Sequence, residues 1–410
     1  MLSVPTTSPT NEVFCMHPIT FTVTPQGTDQ AITINLTALL LHFQTVPDLR
    51  KRRGIRYPLA VLLTIAVLAK LCGDSQVHAL AGWAHARAAD LAAVFGLPRP
   101  VMPHPTTWTR VLGFGMTAAA VEAALQPLLA PQPTAEVPQR ASRPLALDGK
   151  TLRGTIPAGA SHGVHLLAIY DVIAGVPLHQ TLVGAKANEV GAAPALLAPL
   201  NLQGALVTGD AMFAHRQLST QIVEAGGDYC WIVKANQPTL YEDLRMLFGP
   251  QPDDLPGTSP IPDDFVTVRT VTSAHGRLEE RVLTSSSLLA EYHPWPYLAQ
   301  AFQLVRHCEG RGRCTREVRY GITSAPAAVL TAAKLLRVVQ GHWHIENGLH
   351  YRRDVTLRED ASLARRGQAP QVLAALNNGV CGLTARLGVT NLAAFQRAFQ
   401  AVIDRWLFTH

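Results

Sequence analysis

An α/β fold is expected of this 410-residue sequence, with a helical segment leading into a domain built on a mixed sheet. Apolar residues recur at helical spacing through the first third of the chain. Beyond Pro144 the period shortens to that of strands, and strand and helix signals then follow the order βββαβαβ. Composition agrees: 48% hydrophobic against 16% charged residues excludes a disordered or coiled-coil chain. At ~100–200 residues per domain, the length fits two to three domains.

The first 45 residues are rich in Thr, Pro, Ser and Asn and are expected to form a loose leader with one short strand. A small helical N-terminal domain follows over 46–125, marked by Leu59, Leu62, Leu63, Val67 and Leu68, then by Leu80, Trp83, Ala84 and Leu91. Pro127, Pro131, Pro133, Pro138 and Pro144 punctuate a linker at 126–143. Residues 144–148 read as a buried strand ending in Asp148. Residues 164–171 and 176–183 make two more strands joined by a tight Ala-Gly turn, and 189–200 a short helix. Residues 204–210 form a fourth strand ending in Asp210, followed by a helix over 216–225 and a fifth strand at 228–234. This order is the ribonuclease-H-like plan, with strands one and four adjacent. Four alternating stretches (265–272, 277–284, 301–308, 316–323) then predict a β-rich insertion at about 245–328. A helix over 332–351 closes the catalytic domain, 144–360, and a helical tail occupies 361–410.

Charge is distributed unevenly. Residues 1–143 carry 11 basic and 7 acidic side chains, 144–349 carry 16 and 18, and 350–410 carry 8 and 4. A metal-using enzyme acting on a polyanion has such an acidic centre between basic flanks, and chance scatter gives the same arithmetic. Six cysteines without a C-x-x-C pair point to a reducing, cytoplasmic setting. No signal peptide is read at the N-terminus. The most apolar run, 59–71, is shorter than the ~20 residues a membrane helix needs, so no membrane partner is expected.

In the expected topology Asp148 and Asp210 stand at neighbouring strand ends, with Glu346 on the closing helix. Magnesium prefers hard oxygen ligands. Two such ions ~3.5–4 Å apart activate an attacking oxygen and stabilise the leaving oxygen of a phosphodiester. Converging carboxylates supply such a site, with manganese able to substitute; a lone Asp at a strand end more often makes a turn or an N-cap.

Several motifs carry a resemblance. Leu147-Asp-Gly-Lys-Thr-Leu-Arg-Gly154, Thr208-Gly-Asp-Ala-Met-Phe213, Ile232-Val-Lys-Ala-Asn-Gln-Pro-Thr-Leu240, His275-Gly-Arg-Leu-Glu-Glu-Arg281 and Gly341-His-Trp-His-Ile-Glu-Asn-Gly-Leu-His350 occur in that order, and Asp354-Val-Thr-Leu-Arg-Glu-Asp360 continues them. Over roughly residues 46–400 the chain resembles the DDE transposases of bacterial insertion sequences, within the subgroup of H-repeat-associated proteins. The resemblance implies a ribonuclease-H-like catalytic domain with a β insertion, and Asp148, Asp210 and Glu346 as its metal-binding triad. It also implies DNA partners, the element's terminal inverted repeats and a target, and a homo-oligomer on DNA. Related transposases carry Tyr, Arg and Lys seven before, four before and seven after the glutamate; here these positions hold Val339, His342 and Arg353.

His342 and Arg353 fall on one helical stripe with Glu346, since spacings of four and seven return to one face, where they either hold phosphate oxygens or face solvent. Lys150, Arg153 and Lys234 flank the carboxylates and either neutralise a DNA backbone or form salt bridges. Arg50, Lys51, Arg52, Arg53 and Arg56 form a basic run that either tracks phosphates or is a solvated face. Trp83, Trp108 and Trp231 are expected in the core, and Trp343 is expected to pack its helix or to stack on a base. The His/Cys groups at 162/165, 342/344 and 307/308/314 lack a second pair at zinc spacing. The functional expectation is a transposase that cuts element ends and joins the 3′-hydroxyl to target DNA. The rivals are a silent DNA-binding remnant or repressor, and a nuclease without strand transfer.

Overall fold

In a computed structural model, residues 20–24, 31–129, 139–184, 188–249, 264–274, 276–310 and 313–407 are described. A nine-stranded sheet organises the chain. Its strands are β3 (Arg143–Leu152), β4 (Val164–Asp171), β5 (Val176–Leu182), β6 (Ala205–Gly209), β7 (Asp228–Val233), β8 (Val266–Ala274), β9 (Arg277–Ser286), β10 (Gln300–Gly310) and β11 (Arg313–Thr323). Their order is β5-β4-β3-β6-β7-β11-β10-β9-β8. The first three form an antiparallel meander, while β3, β6 and β7 are parallel with Leu147 opposite Gly209 and Gly209 opposite Trp231. This is the expected βββαβαβ plan, with helices α7 (Glu189–Leu197) and α8 (Arg216–Glu224) as the crossovers.

The insertion differs from a separate β module. β11 pairs antiparallel with β7 from Tyr320–Val233 to Thr323–Cys230, so β11, β10, β9 and β8 extend the catalytic sheet. The junction is close: a Cβ on Gly321 would lie 2.2 Å from the Phe302 ring and 2.5 Å from the Trp231 carbonyl oxygen. α9 (Pro238–Leu247) leads into the insertion, the short α10 (Leu289–Tyr292) joins β9 to β10, and α11 (Ala332–Gly341) leads out, packing Leu335, Leu336 and Val339 against Leu283, Phe302 and Leu304.

The N-terminal helices are α1 (Leu36–Gln44), α2 (Leu59–Leu71), α3 (Val77–Ala86), α4 (Ala88–Val94), α5 (Pro105–Phe114) and α6 (Ala118–Leu129). Every residue of α2 is buried, Thr64 and Lys70 included, which accounts for its apolar character on all sides. Among the described residues no single helix is long and apolar enough to cross a membrane. Two boundaries move. Residues 20–24 and 31–45 are not a loose leader: β1 (Thr20–Val23) and β2 (Ile32–Asn35) pair as a hairpin, and Phe21 meets Phe399 edge-on at 5.9 Å. The linker starts later, because α6 runs through Pro127 to Leu129; residues 130–138 lie outside the described ones.

The C-terminal helices α12 (Ala369–Arg386) and α13 (Leu392–Leu407) complete the N-terminal layer. Lys70 Nζ donates to Asn377 Oδ1 at 2.7 Å, and Arg87 pairs with Asp404 at 2.5 Å. One hydrophobic core therefore runs from the hairpin through the N-terminal helices, the sheet and the tail. Trp108 and Trp231 are fully buried and Trp83 nearly so, as expected. The five cysteines among the described residues are free.

Candidate active site

Parallel pairing of β3 with β6 sets the first two carboxylates side by side. Asp148 follows Leu147 in β3, and Asp210 follows Gly209, the residue opposite Leu147. Strand β3 continues past Asp148 to Leu152. Glu346 arrives after α11, where the chain leaves regular helix and makes two wide π-helical turns, Glu346–His350 and Arg352–Thr356. Such turns occur mostly as single bulges and often at functional sites. Asp148, Asp210 and Glu346 all line one cavity of about 360 Å³, together with Thr208, Lys234, Arg319, His342 and Trp343.

The three acids are not equivalent. Asp148, Glu346 and His350 form the tight group, each offering a ligand atom within 4.8 Å of the others. His350 Nε2 lies 3.2 Å from Asp148 Oδ2. Asp148 Oδ1 accepts from the Gly149 N–H at 2.9 Å. Asp210 is turned to Lys234, whose Nζ donates to Oδ1 at 3.1 Å. Partial burial would raise the Asp210 pKa, but the Ala211 N–H and Lys234 outweigh it and hold the carboxyl below the usual range.

The basic residues divide. Lys234 and Arg153 are largely exposed, Arg153 lying loosely 3.6 Å from Asp360. Lys150 is buried, with Nζ 2.5 Å from Asp354 and 3.5 Å from Asp360, so the salt-bridge reading replaces the phosphate one. Arg353 is fully buried: Nη2 pairs with Glu359 at 2.8 Å, and Nη1 donates to Gln180 and Asn378. The expected stripe fails for a geometric reason. Wide i→i+5 turns carry more residues per turn than an α-helix, so seven residues past Glu346 no longer returns to its face. His342 keeps its place beside the cavity, with Nδ1 2.9 Å from Thr208 Oγ1. Burial lowers its pKa despite the fields of Asp148 and Asp210, which favours the neutral ring.

In the N-terminal basic run, Arg50 holds Asp48 and the Tyr57 carbonyl, a local brace rather than a free cation. Lys51, Arg52 and Arg53 are exposed, and Lys51, Arg53, Arg56 and Arg110 line an open groove. Trp343 is 54% exposed and carries the Arg319 guanidinium 5.7 Å over its ring, because α11 ends at Gly341 and the turn points it outward; it does not pack the helix. His275 falls outside the described residues. His350 was missed in the sequence; its signal was the four-residue spacing from Glu346.

The Transposase DDE domain model matches residues 139–378, more than half of the chain, and the DDE_Tnp_1-associated model matches 40–126. The chain belongs to the DDE transposase family. This transposase is 26% identical over 351 residues to the Escherichia coli O157:H7 protein named "Putative transposase YncI", covering 84% of this chain and 86% of that one. It is 28% identical over 270 residues to the E. coli K12 "H repeat-associated putative transposase YhhI", covering 64% and 69%. Among solved structures, a piggyBac transposase synaptic complex with hairpin DNA aligns over 91% of this chain and 78% of that one, at 12% identity and a TM-score of 0.44. Family membership implies use of a divalent metal, and the acid-lined cavity with its buried, unpartnered His350 suits one.

Proposed function

We propose that this transposase cuts DNA at the ends of an insertion element and joins the freed 3′-hydroxyl to target DNA, with Asp148, Asp210 and Glu346 as its catalytic carboxylates. The convergence of these three acids on one cavity, from two adjacent strands and a following helix, carries the reading. These carboxylates would hold divalent ions, magnesium or manganese, whose charge would activate an attacking oxygen and stabilise the leaving one.

In the cut, a water oxygen bonds to phosphorus as the P–O3′ bond breaks. Water's proton passes to solvent, and the departing oxygen takes one up as the 3′-hydroxyl. In the joining step that hydroxyl attacks a target phosphodiester, displacing one strand's 3′-oxygen, so each bond formed replaces one broken. Lys234 lines the cavity and is exposed, so a backbone phosphate would draw it from Asp210, and Arg153, exposed just past the end of β3, adds a second phosphate contact. Lys51, Arg52 and Arg53, exposed on the loop between α1 and α2, add phosphate contacts. The protein acts in the cytoplasm on its terminal repeats and a target, as at least a dimer because two ends must meet.

A labelled element end is incubated with the full chain and magnesium or manganese, beside Asp210→Asn. Metal-dependent nicking and strand transfer by the wild type, lost in the variant while end binding persists, is the expected result. Cutting at the wild-type rate by Asp210→Asn refutes the assignment. Nicking without joined product favours the nuclease, and binding with no cutting under either metal favours the remnant.

A further inference from the structure

We infer that His350 is a nitrogen ligand of the ion held by Asp148 and Glu346, giving this half of the site a preference for manganese over magnesium. The inference rests on the metal-site reading above and adds a donor to it. His350 is 3% exposed, and neither ring nitrogen has a hydrogen-bond partner. Nε2 lies 3.2 Å from Asp148 Oδ2, outside good hydrogen-bond alignment yet facing the two carboxylates. An unsatisfied buried polar group is expensive, and buried polar side chains nearly always find partners. A cation shared with Asp148 and Glu346 would give one of these nitrogens a partner. Opposite ligands each ~2.1 Å from an ion stand about 4.2 Å apart, so a group already within 4.8 Å closes on one with small shifts.

The wide turn builds the arrangement. Glu346 and His350 bracket it, and buried Leu349 anchors it to the core. Gly348 lies flush against Tyr170, where a Cβ would come within 2.3 Å of the phenol oxygen. The imidazole is thereby held at the carboxylates rather than free to swing away. Magnesium takes oxygen almost to the exclusion of nitrogen. Manganese accepts carboxylates readily, and along the first-row series imidazole becomes a competitive donor.

The full chain without DNA is titrated with manganese and with magnesium, and the manganese complex is examined by pulsed electron paramagnetic resonance for ¹⁴N coupling. Expected are manganese binding about tenfold or more tighter than magnesium, and a ¹⁴N coupling that survives in His342→Gln/His344→Gln and disappears in His350→Gln. His350→Gln is expected to lose about tenfold in manganese affinity and less than about threefold in magnesium affinity. Should His350→Gln fail to fold, the wild type and the His342/His344 double variant still decide. Manganese bound without ¹⁴N coupling, or a coupling that vanishes in the double variant, overturns the His350 assignment and leaves the carboxylate site standing. Absence of any metal binding by the wild type overturns both.

Discussion

Replacing Arg353 by methionine separates the phosphate-contact role expected of it from the buried brace that it forms. Arg353 is buried without residual exposure, and its guanidinium meets Glu359 Oε2 from Nε and Nη2, both at 2.8 Å, with Gln180 and Asn378 on Nη1. Glu359 is itself buried; desolvation alone would raise its pKa, and Arg353 is the main reason it lies below the usual value. Removing one member of a buried pair costs about 3–5 kcal/mol because the other charge is stranded. That is a large part of a typical 5–15 kcal/mol stability. At about 2 °C per kcal/mol for a large chain, Tm should fall by roughly 6–10 °C. Arg353→Met/Glu359→Leu should recover part of the loss, since no charge is left unpaired. Scanning calorimetry gives the first readout, and DNA binding against salt, below the variant's melting range, gives the second. A buried brace leaves the salt slope unchanged, whereas each lost phosphate contact lowers it by about 0.9. An unchanged Tm with a slope reduced by about one would refute the structural role.

Lys70 is wholly buried, and desolvation lowers its pKa from 10.5 to about 8 despite attraction from Glu359. Its charge therefore opposes folding by about 3 kcal/mol below pH 8, a cost relieved as pH rises toward 10.5. The stability difference between wild type and Lys70→Met, from denaturant unfolding at pH 7 and pH 9.5, should move in favour of wild type at the higher pH; a constant difference refutes this. Lys234→Ala removes an exposed pair and should change stability by less than about 1 kcal/mol, while lowering the salt slope of DNA binding by about 0.9; an unchanged slope removes Lys234 from the DNA path. Gly321→Ala forces a methyl against Phe302 and the Trp231 carbonyl and should cost about 1–3 kcal/mol in thermal unfolding, so an unaltered Tm would show that the β7–β11 junction yields.

What could be read in the sequence was set by local pattern. The alternation of 301–308 and 316–323 revealed β10 and β11, and the apolar runs ending in Asp148 and Asp210 revealed the parallel pair. The partner of β11 was illegible, because any strand edge of suitable length accepts an antiparallel neighbour. The family motifs brought Asp148, Asp210 and Glu346 into view, but helical spacing misplaced Arg353, since nothing in Glu346-Asn-Gly-Leu-His350 announces a widened turn. For Lys150 and Arg50 the sequence could not choose between DNA contact and a local role, because their acids, Asp354 and Asp360 in one case and Asp48 in the other, become partners through the fold and the loop geometry.

Glu346 lies 136 residues beyond Asp210, and the continuous ladder explains how that distance in chain becomes proximity in space. β11 hands the chain back next to β7, one strand from β6, so the starting point of α11 is fixed by hydrogen-bond register rather than by a floppy return. Changes of length at the far edge, around β8 or the β8–β9 turn, leave that register untouched. The outer strands are thus open to elaboration by evolution or by design, while any slip between β7 and β11 would shift the glutamate's arrival by a residue step of about 3.4 Å.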